Sequence, residues 1–260
     1  CFDGVGCIGG NKILLENNGS RLFFDFGTNF GAENKYYEEF LKPKSCTGIF
    51  EHVRMGFLPP FIDLYRKDLV SSLCDPWSGI ECREIGGVDG VLVSHAHLDH
   101  MGAIHHLDTD IPIYCTPMTA AVSRALQDTG GSSALDDYCY YVCKQDDDKG
   151  SGLVSPHWQK SPYMGRKYYI TEPPLSGEFT AFWNSVPSGR KLEPMECETA
   201  YQCAGMKIIN FPVDHSVFGA SAWAAETDAG WVVYSGDIRF HGGYADYSRR
   251  FAEEAAKLEP

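Results

Sequence analysis

The sequence predicts an α/β fold, and three observations carry that prediction. Short β-branched and aromatic runs recur along the chain, among them Val91-Leu92-Val93, Ile111-Pro112-Ile113-Tyr114-Cys115 and Trp231-Val232-Val233-Tyr234, each of strand length. Around the first two runs a helical signal alternates with the strands: Met101 to Leu107 reads as a short helix, and Thr116-Pro117 opens another that runs to about Gln127. Finally, 43% hydrophobic residues in a chain of 260 are enough to bury one large core.

Taken in order, the chain opens with the glycine-dense loop Gly4-Val5-Gly6-Cys7-Ile8-Gly9-Gly10-Asn11, whose backbone can approach a ligand or metal site closely. Two apolar runs, Ile13 to Glu16 and Arg21 to Asp25, then flank Asn17-Asn18-Gly19-Ser20, which predicts a β-hairpin. Asp25 falls at the tip of the second run with apolar neighbours on both sides, so it is expected to be a buried orienting group. Residues 34–42 and roughly 61–73 show helical spacing, separated by the breaker Leu58-Pro59-Pro60. From 128 to about 204 the pattern gives way to Gly, Ser, Pro and aromatic residues, with Pro156, Pro162, Pro173, Pro174, Pro187 and Pro194 interrupting it. That composition predicts an insertion or lobe packed on the body. Regularity returns in Met206 to Pro212, Ala220 to Thr227 and Trp231 to Ser235.

A net charge of -13 and a pI near 5.1 exclude a binder that works through a broad basic surface, so an anionic ligand must be met locally. No apolar run approaches the roughly 20 residues needed to span a bilayer, and the expectation is a cytoplasmic protein without membrane contact. The ten cysteines are scattered and read as reduced thiols, Cys139, Cys143, Cys197 and Cys203 included, because their spacing fits no metal knuckle.

Chemistry concentrates in Val91-Leu92-Val93-Ser94-His95-Ala96-His97-Leu98-Asp99-His100. An apolar strand there empties into three histidines and an aspartate within six residues. Without a cation, such crowding costs desolvation and makes the imidazoles compete for protons, so the pattern points to a catalytic metal cradle. Two later strands also end in polar tips, Asp214-His215-Ser216 and Ser235-Gly236-Asp237. Function in layered α/β folds gathers where strand tips converge, so Asp25, the 95–100 cluster, His215 and Asp237 are expected to be neighbours. His105 and His106 are expected to be solvent or core histidines.

The order His95-x-His97-x-Asp99-His100, then His215, then Asp237, resembles the metallo-β-lactamase superfamily. The resemblance covers the chain except residues 128–204 and implies an αββα four-layer sandwich with a two-metal site at one edge. The domain it implies runs over 1–127 and 205–260, with 128–204 as the insertion. Val213-Asp214-His215-Ser216-Val217-Phe218-Gly219-Ala220 and Ser235-Gly236-Asp237-Ile238-Arg239-Phe240-His241-Gly242 are similar to the β-CASP group of RNA-processing nucleases. In that group a second domain and the last metal histidine follow the aspartate, so both are expected beyond Pro260.

By resemblance, His95, His97 and His215 hold the first metal, Asp99 and His100 the second, and Asp237 bridges them. The ions are divalent, zinc or manganese. Such a pair lowers the pKa of a shared water toward about 7 and offsets charge on a transferring phosphoryl group. Asp99 is then also an orienting base, and Asp25 supports a ligand through hydrogen bonds. Ser216, Arg239 and His241 are candidate substrate contacts. The expected activity is hydrolysis of phosphodiester bonds in single-stranded nucleic acid, RNA first, with a homodimer as the candidate assembly. Two alternatives stay open: a small-molecule ester, thioester or lactone hydrolase using the same metals, recognised by a closed pocket under 128–204, and a non-catalytic scaffold subunit.

Overall fold

The computed structural model describes the chain except residues 38–40, 42, 131–136, 158–159, 172–175, 187–189 and 194–196. Its strands, in chain order, are β1 (Ile13–Asn17), β2 (Ser20–Phe24), β3 (Gly90–Leu92), β4 (Ile113–Cys115), β5 (Tyr140–Tyr141), β6 (Gln145–Asp146), β7 (Leu153–Val154), β8 (Met164–Gly165), β9 (Tyr168–Ile170), β10 (Cys197–Thr199), β11 (Gln202–Cys203), β12 (Met206–Pro212), β13 (Ser221–Thr227) and β14 (Gly230–Tyr234). The helices are α1 (Phe30–Glu33), α2 (Phe50–Arg54), α3 (Leu98–Met101), α4 (Pro117–Thr129), α5 (Gly177–Trp183) and α6 (Ala245–Ala256).

One sheet has the order β1-β2-β3-β4-β9-β10, antiparallel between β1 and β2 and parallel from there on. The other, β11-β12-β13-β14, is antiparallel throughout. Side chains that alternate along each strand divide into separate cores. Leu22, Phe24, Leu92 and Tyr114 leave the first sheet on one face to pack with Met206, Ile208, Trp223 and Ala225 of the second. Phe23, Val91, Ile113 and Tyr168 leave on the opposite face to meet Val53 of α2, Met101 of α3, Ala120 of α4 and Trp183 of α5. On the outer face of the second sheet, Ala222 and Phe211 pack with Phe251 and Ala255 of α6. Helices, sheet, sheet and helix make the four-layer αββα sandwich. Because β2, β3 and β4 are buried on both faces, they read in the sequence as continuous apolar runs.

Local signals held where they were strong. Asn18 and Gly19 take φ of 51° and 83°, the two-residue turn that joins β1 to β2 with Asn17 opposite Ser20. Thr116 caps α4 by accepting from the Thr119 backbone N–H at 3.1 Å, with Pro117 in the first turn.

Other expectations are corrected. The helix expected over about 61–73 is absent, and only Lys67–Leu69 forms a single 3-10 turn. Its backbone is engaged elsewhere. Ile62 N–H bonds the Arg83 carbonyl, Ile49 N–H takes the Leu69 carbonyl, and the Asp63 carboxylate accepts from the N–H groups of Ile85, Gly86 and Gly87. Of the helix expected over 34–42, residues 34–36 form only a turn after α1, which ends at Glu33, and residues 38–40 and 42 lie outside the described residues. The helix expected over Met101 to Leu107 divides into α3 and a 3-10 turn at Ile104–His106. The 128–204 stretch does more than pack on the body: β9 and β10 extend the first sheet, and Trp183 of α5 is buried against Tyr168. Of its prolines, Pro173, Pro174, Pro187 and Pro194 lie outside the described residues. Cys139 and Cys203 are buried, whereas Cys143 is exposed. Among the described residues no helix is long and apolar enough to cross a membrane.

Trp223 ties the sheets together: its side chain is wholly buried, and Nε1 donates to the Val93 carbonyl at 3.0 Å, just ahead of the histidine cluster. Trp223→Phe removes that donor and leaves a buried carbonyl unpaired, which costs about 1–3 kcal/mol. Chemical denaturation should show that loss, and calorimetry a Tm fall of about 2–4 °C for each kcal/mol. Unchanged stability would refute the tie.

Candidate metal centre

The centre forms where β2 and β3 end side by side in the first sheet, with the end of β14 and the loop after β12 from the second sheet brought against them. β3 delivers Ser94 and His95 from the core, and the chain turns at His97 into α3, which carries Asp99 and His100. Gly27 and Gly9 make room for that helix. A Cβ on Gly27 would meet the Asp99 backbone carbonyl, and one on Gly9 would meet the Asp99 side chain. The Gly10 N–H also donates to the Asp99 carbonyl at 2.8 Å, so the glycine-dense loop does approach the site.

Two overlapping groups of side chains can each surround a cation, His95–His97–His215 and His95–His100–Asp237, with ligand atoms within 4.8 Å of one another in each. His95 Nε2 lies 3.0 Å from His97 Nδ1, which lies 3.2 Å from His215 Nε2. Three imidazole nitrogens thus converge on one region, a donor set suited to a borderline divalent ion. Asp237 reaches both groups: Oδ1 is 3.4 Å from His100 Nε2 and Oδ2 is 3.6 Å from His215 Nε2. Asp99 lies at the rim, with Oδ2 3.8 Å from His100 Nε2.

Behind these side chains stands Asp25, fully buried with a left-handed φ of 56°. Its Oδ1 accepts from the Ser94 N–H at 2.7 Å. Its Oδ2 accepts from Ser94 Oγ at 2.7 Å, His100 Nδ1 at 2.7 Å and the Tyr234 hydroxyl at 2.6 Å. Asn11 Nδ2 in turn donates to that hydroxyl at 2.8 Å. Ser94 Oγ is also 2.9 Å from His95 Nδ1. With the Nδ1 atoms of both His95 and His100 engaged inward, their Nε2 atoms face the centre.

Charge follows from these contacts. Burial pushes His95 down to about 2, reinforced by repulsion from His100, His215 and His97. Burial would also lower His100, but hydrogen bonds and charge from Asp237 and Asp25 outweigh it and raise it to about 10. Asp237 is lowered to about 2, mainly by its hydrogen bond with His100, and burial lowers His215.

The structure therefore brings together Asp25, His95, His97, Asp99, His100, His215 and Asp237. Ser216 stands at the edge, with Oγ 3.4 Å from His215 Nε2 and 3.5 Å from His97 Nε2. Arg239 donates through Nε and Nη2 to Asp214 Oδ1, both at 3.0 Å, and so braces the turn that carries His215. His241 is exposed and belongs to neither group. His105 and His106 are buried in the core, away from the centre. Sequence reasoning missed Ser94, Tyr234 and Asn11, although Ser94 and Tyr234 each sit one residue from a recognised motif.

The family model of the β-lactamase superfamily domain matches residues 60–135, which include the histidine cluster. The chain has the metallo-β-lactamase fold. A protein from Enterococcus faecalis V583 whose function is unknown aligns with it at TM-score 0.57 and 23% identity, over 97% of this chain and 46% of that one. The MIM-2 metallo-β-lactamase aligns at TM-score 0.39 and 14% identity, over 97% of this chain and 72% of that one. Ribonuclease J of Helicobacter pylori is 22% identical over 240 residues, covering 91% of this chain and 22% of the relative. The chain thus spans about a fifth of the length of the curated relatives it matches. The metallo-β-lactamase fold is a hydrolase fold and implies divalent metals, which the histidine-rich groups suit.

Asp25→Asn should lower metal affinity about 10–100-fold, checked by competition titration. In chelator-treated protein, the raised His100 pKa contributes stability that is full below the ordinary 6.5 and lost as pH rises through about 10. The depressed Asp237 pKa contributes stability present above 3.8 and lost as pH falls through about 2. Asp25→Asn should shrink the alkaline loss in denaturation profiles and spare the acid one. An unchanged alkaline limb would contradict the assignment.

Proposed function

We propose that this chain carries the metal centre of a phosphodiesterase acting on single-stranded nucleic acid, RNA in the first instance. The observation that carries the reading is Asp237, which turns one carboxylate oxygen toward each of two overlapping ligand groups, as a shared ligand of two cations would. In this reading His95, His97 and His215 hold one ion, His100 and Asp99 the other, and Asp237 serves both. Ribonuclease J similarity over 91% of the chain supports the substrate class.

Two divalent ions, zinc or manganese, supply Lewis acidity that makes hydroxide available near neutral pH and offsets phosphoryl charge. The protein's own groups do the rest. Asp25 and Ser94 fix the inward nitrogens of His100 and His95, so that both rings present Nε2 without reorganisation. Asp99, with 24% of its side chain exposed, can take the proton of an attacking water at the rim. Arg239 keeps the His215 turn in place through Asp214. In so acidic a chain the cations are what draws a phosphate to this edge.

The small-molecule reading expects a closed pocket under residues 128–204. The cavity that adjoins His215 and Ser216 is lined by residues 116–118 and 212–220 with Arg239, Tyr244 and Tyr247, on a different side from that stretch. The test is to reconstitute the protein with zinc or manganese and offer it labelled single-stranded RNA and DNA beside a thioester and a lactone. RNA should be shortened, a chelator should stop the reaction, and His97→Ala should reduce it at least about a hundredfold. Intact nucleic acid alongside an opened thioester or lactone would sink the reading. Fewer than one metal equivalent, unaffected by His97→Ala, would point to a scaffold.

A further inference from the structure

Beyond His215 and Ser216 the centre opens into a cavity of about 360 Å³ whose walls include Phe218, Arg239, Tyr244 and Tyr247. That volume lies at the lower end of the range for sites that take one small organic group. Its aromatic side chains are left in solvent: Phe218 is 67% exposed, Tyr244 52% and Tyr247 43%. None of them serves the core. α6 packs inward through Ser248, Phe251 and Ala255, which leaves Tyr247 on its other face and Tyr244 just ahead of it at the N-cap.

The rings are arranged as a corner. Tyr244 and Tyr247 lie parallel, with 7° between planes and centroids 5.7 Å apart, while Phe218 stands at 72° to Tyr244 at 6.2 Å. The one cationic group in these walls, Arg239, is already paired with the buried Asp214 carboxylate, so the cavity offers π faces rather than net charge. A flat, uncharged ring system fits that chemistry, and a phosphate does not. Because the cavity shares His215 and Ser216 with the metal centre, a ring seated there would lie next to a phosphate held at the metals, as two parts of one molecule can.

We infer that the corner of Phe218 and Tyr244 is a base subsite, stacking the nucleobase next to the scissile phosphodiester on the His215 side of the centre. The inference rests on the phosphodiesterase reading above. Stacking uses the π face that every base has, so the subsite admits all four bases, purines somewhat better than pyrimidines.

The metal-loaded protein should be assayed on single-stranded oligonucleotides in which one nucleoside at a time is made abasic. One position beside the cut should raise KM about tenfold, while the other positions change little. Phe218→Ala and Tyr244→Ala should each raise KM for the intact oligonucleotide by about tenfold with kcat within about twofold, and Tyr244→Phe should restore it. On the oligonucleotide abasic at that position, the variants should match the parent. Unchanged KM in both alanine variants, or a loss confined to kcat, would overturn the subsite. So would sedimentation showing that these substitutions convert a dimer to a monomer, since the patch would then be covered by a second copy. If the parent cuts no oligonucleotide at all, the phosphodiesterase reading falls first and the subsite falls with it.

Discussion

A carboxylate with no exposure to water, Asp25, accepts four hydrogen bonds at the junction of the two sheets, and the arrangement of the centre depends on it. Its donors come from the end of β3, from α3 and from β14, so one residue after β2 fastens three other segments. Burying a charge without such partners would be prohibitive, and the full set of donors is what makes the position tenable. The left-handed backbone at Asp25 turns the side chain back beneath the histidines, and Asp tolerates that conformation better than most residues. Support then propagates outward: Asp25 sets Ser94 and His100, Ser94 sets His95, and the two imidazoles face the cation region with their Nε2 atoms.

Electrostatics at the centre follow from that order. His95, crowded by other imidazoles and cut off from water, is held neutral, whereas His100 between two aspartates is held charged in the absence of a metal. A cation held by His100 would have to displace its proton and would replace its charge, so metal and proton would compete for one position. The exposed side of the centre is built differently. Ser216, Phe218, Arg239 and Tyr244 lie on the loops after β12 and before α6, toward solvent, while the groups that set ligand geometry lie in the interior.

The four layers place these loops. Alternation along β2, β3 and β4 sends one set of side chains to the second sheet and the other to the helices, so the strands cannot slip by one residue without exposing both cores. Their ends are therefore fixed relative to one another, as a multi-ligand site requires. The 128–204 stretch shares in this through β9, which pairs with β4 in the first sheet and makes the region part of the scaffold.

Much of this was legible in the sequence because it is local. The hairpin at Asn18-Gly19, the capped start of α4, the late strands and the run from His95 to His100 each carry their signal within a few residues. The convergence of strand tips was also legible, since imidazoles and carboxylates crowded at the ends of buried apolar runs are costly unless a cation organises them. The helix over 61–73 was misread because spacing cannot register that Asp63 satisfies three distant backbone N–H groups. Nor can spacing join Tyr234 to Asp25, or stack Tyr244 on Tyr247 beside Phe218. By itself the sequence determined the kinds of donor available and the strand ends on which they ride. Only the tertiary structure decided which nitrogen of each imidazole faces the centre, what holds it there, and that an uncharged aromatic corner adjoins it, because these depend on contacts between residues far apart in the chain.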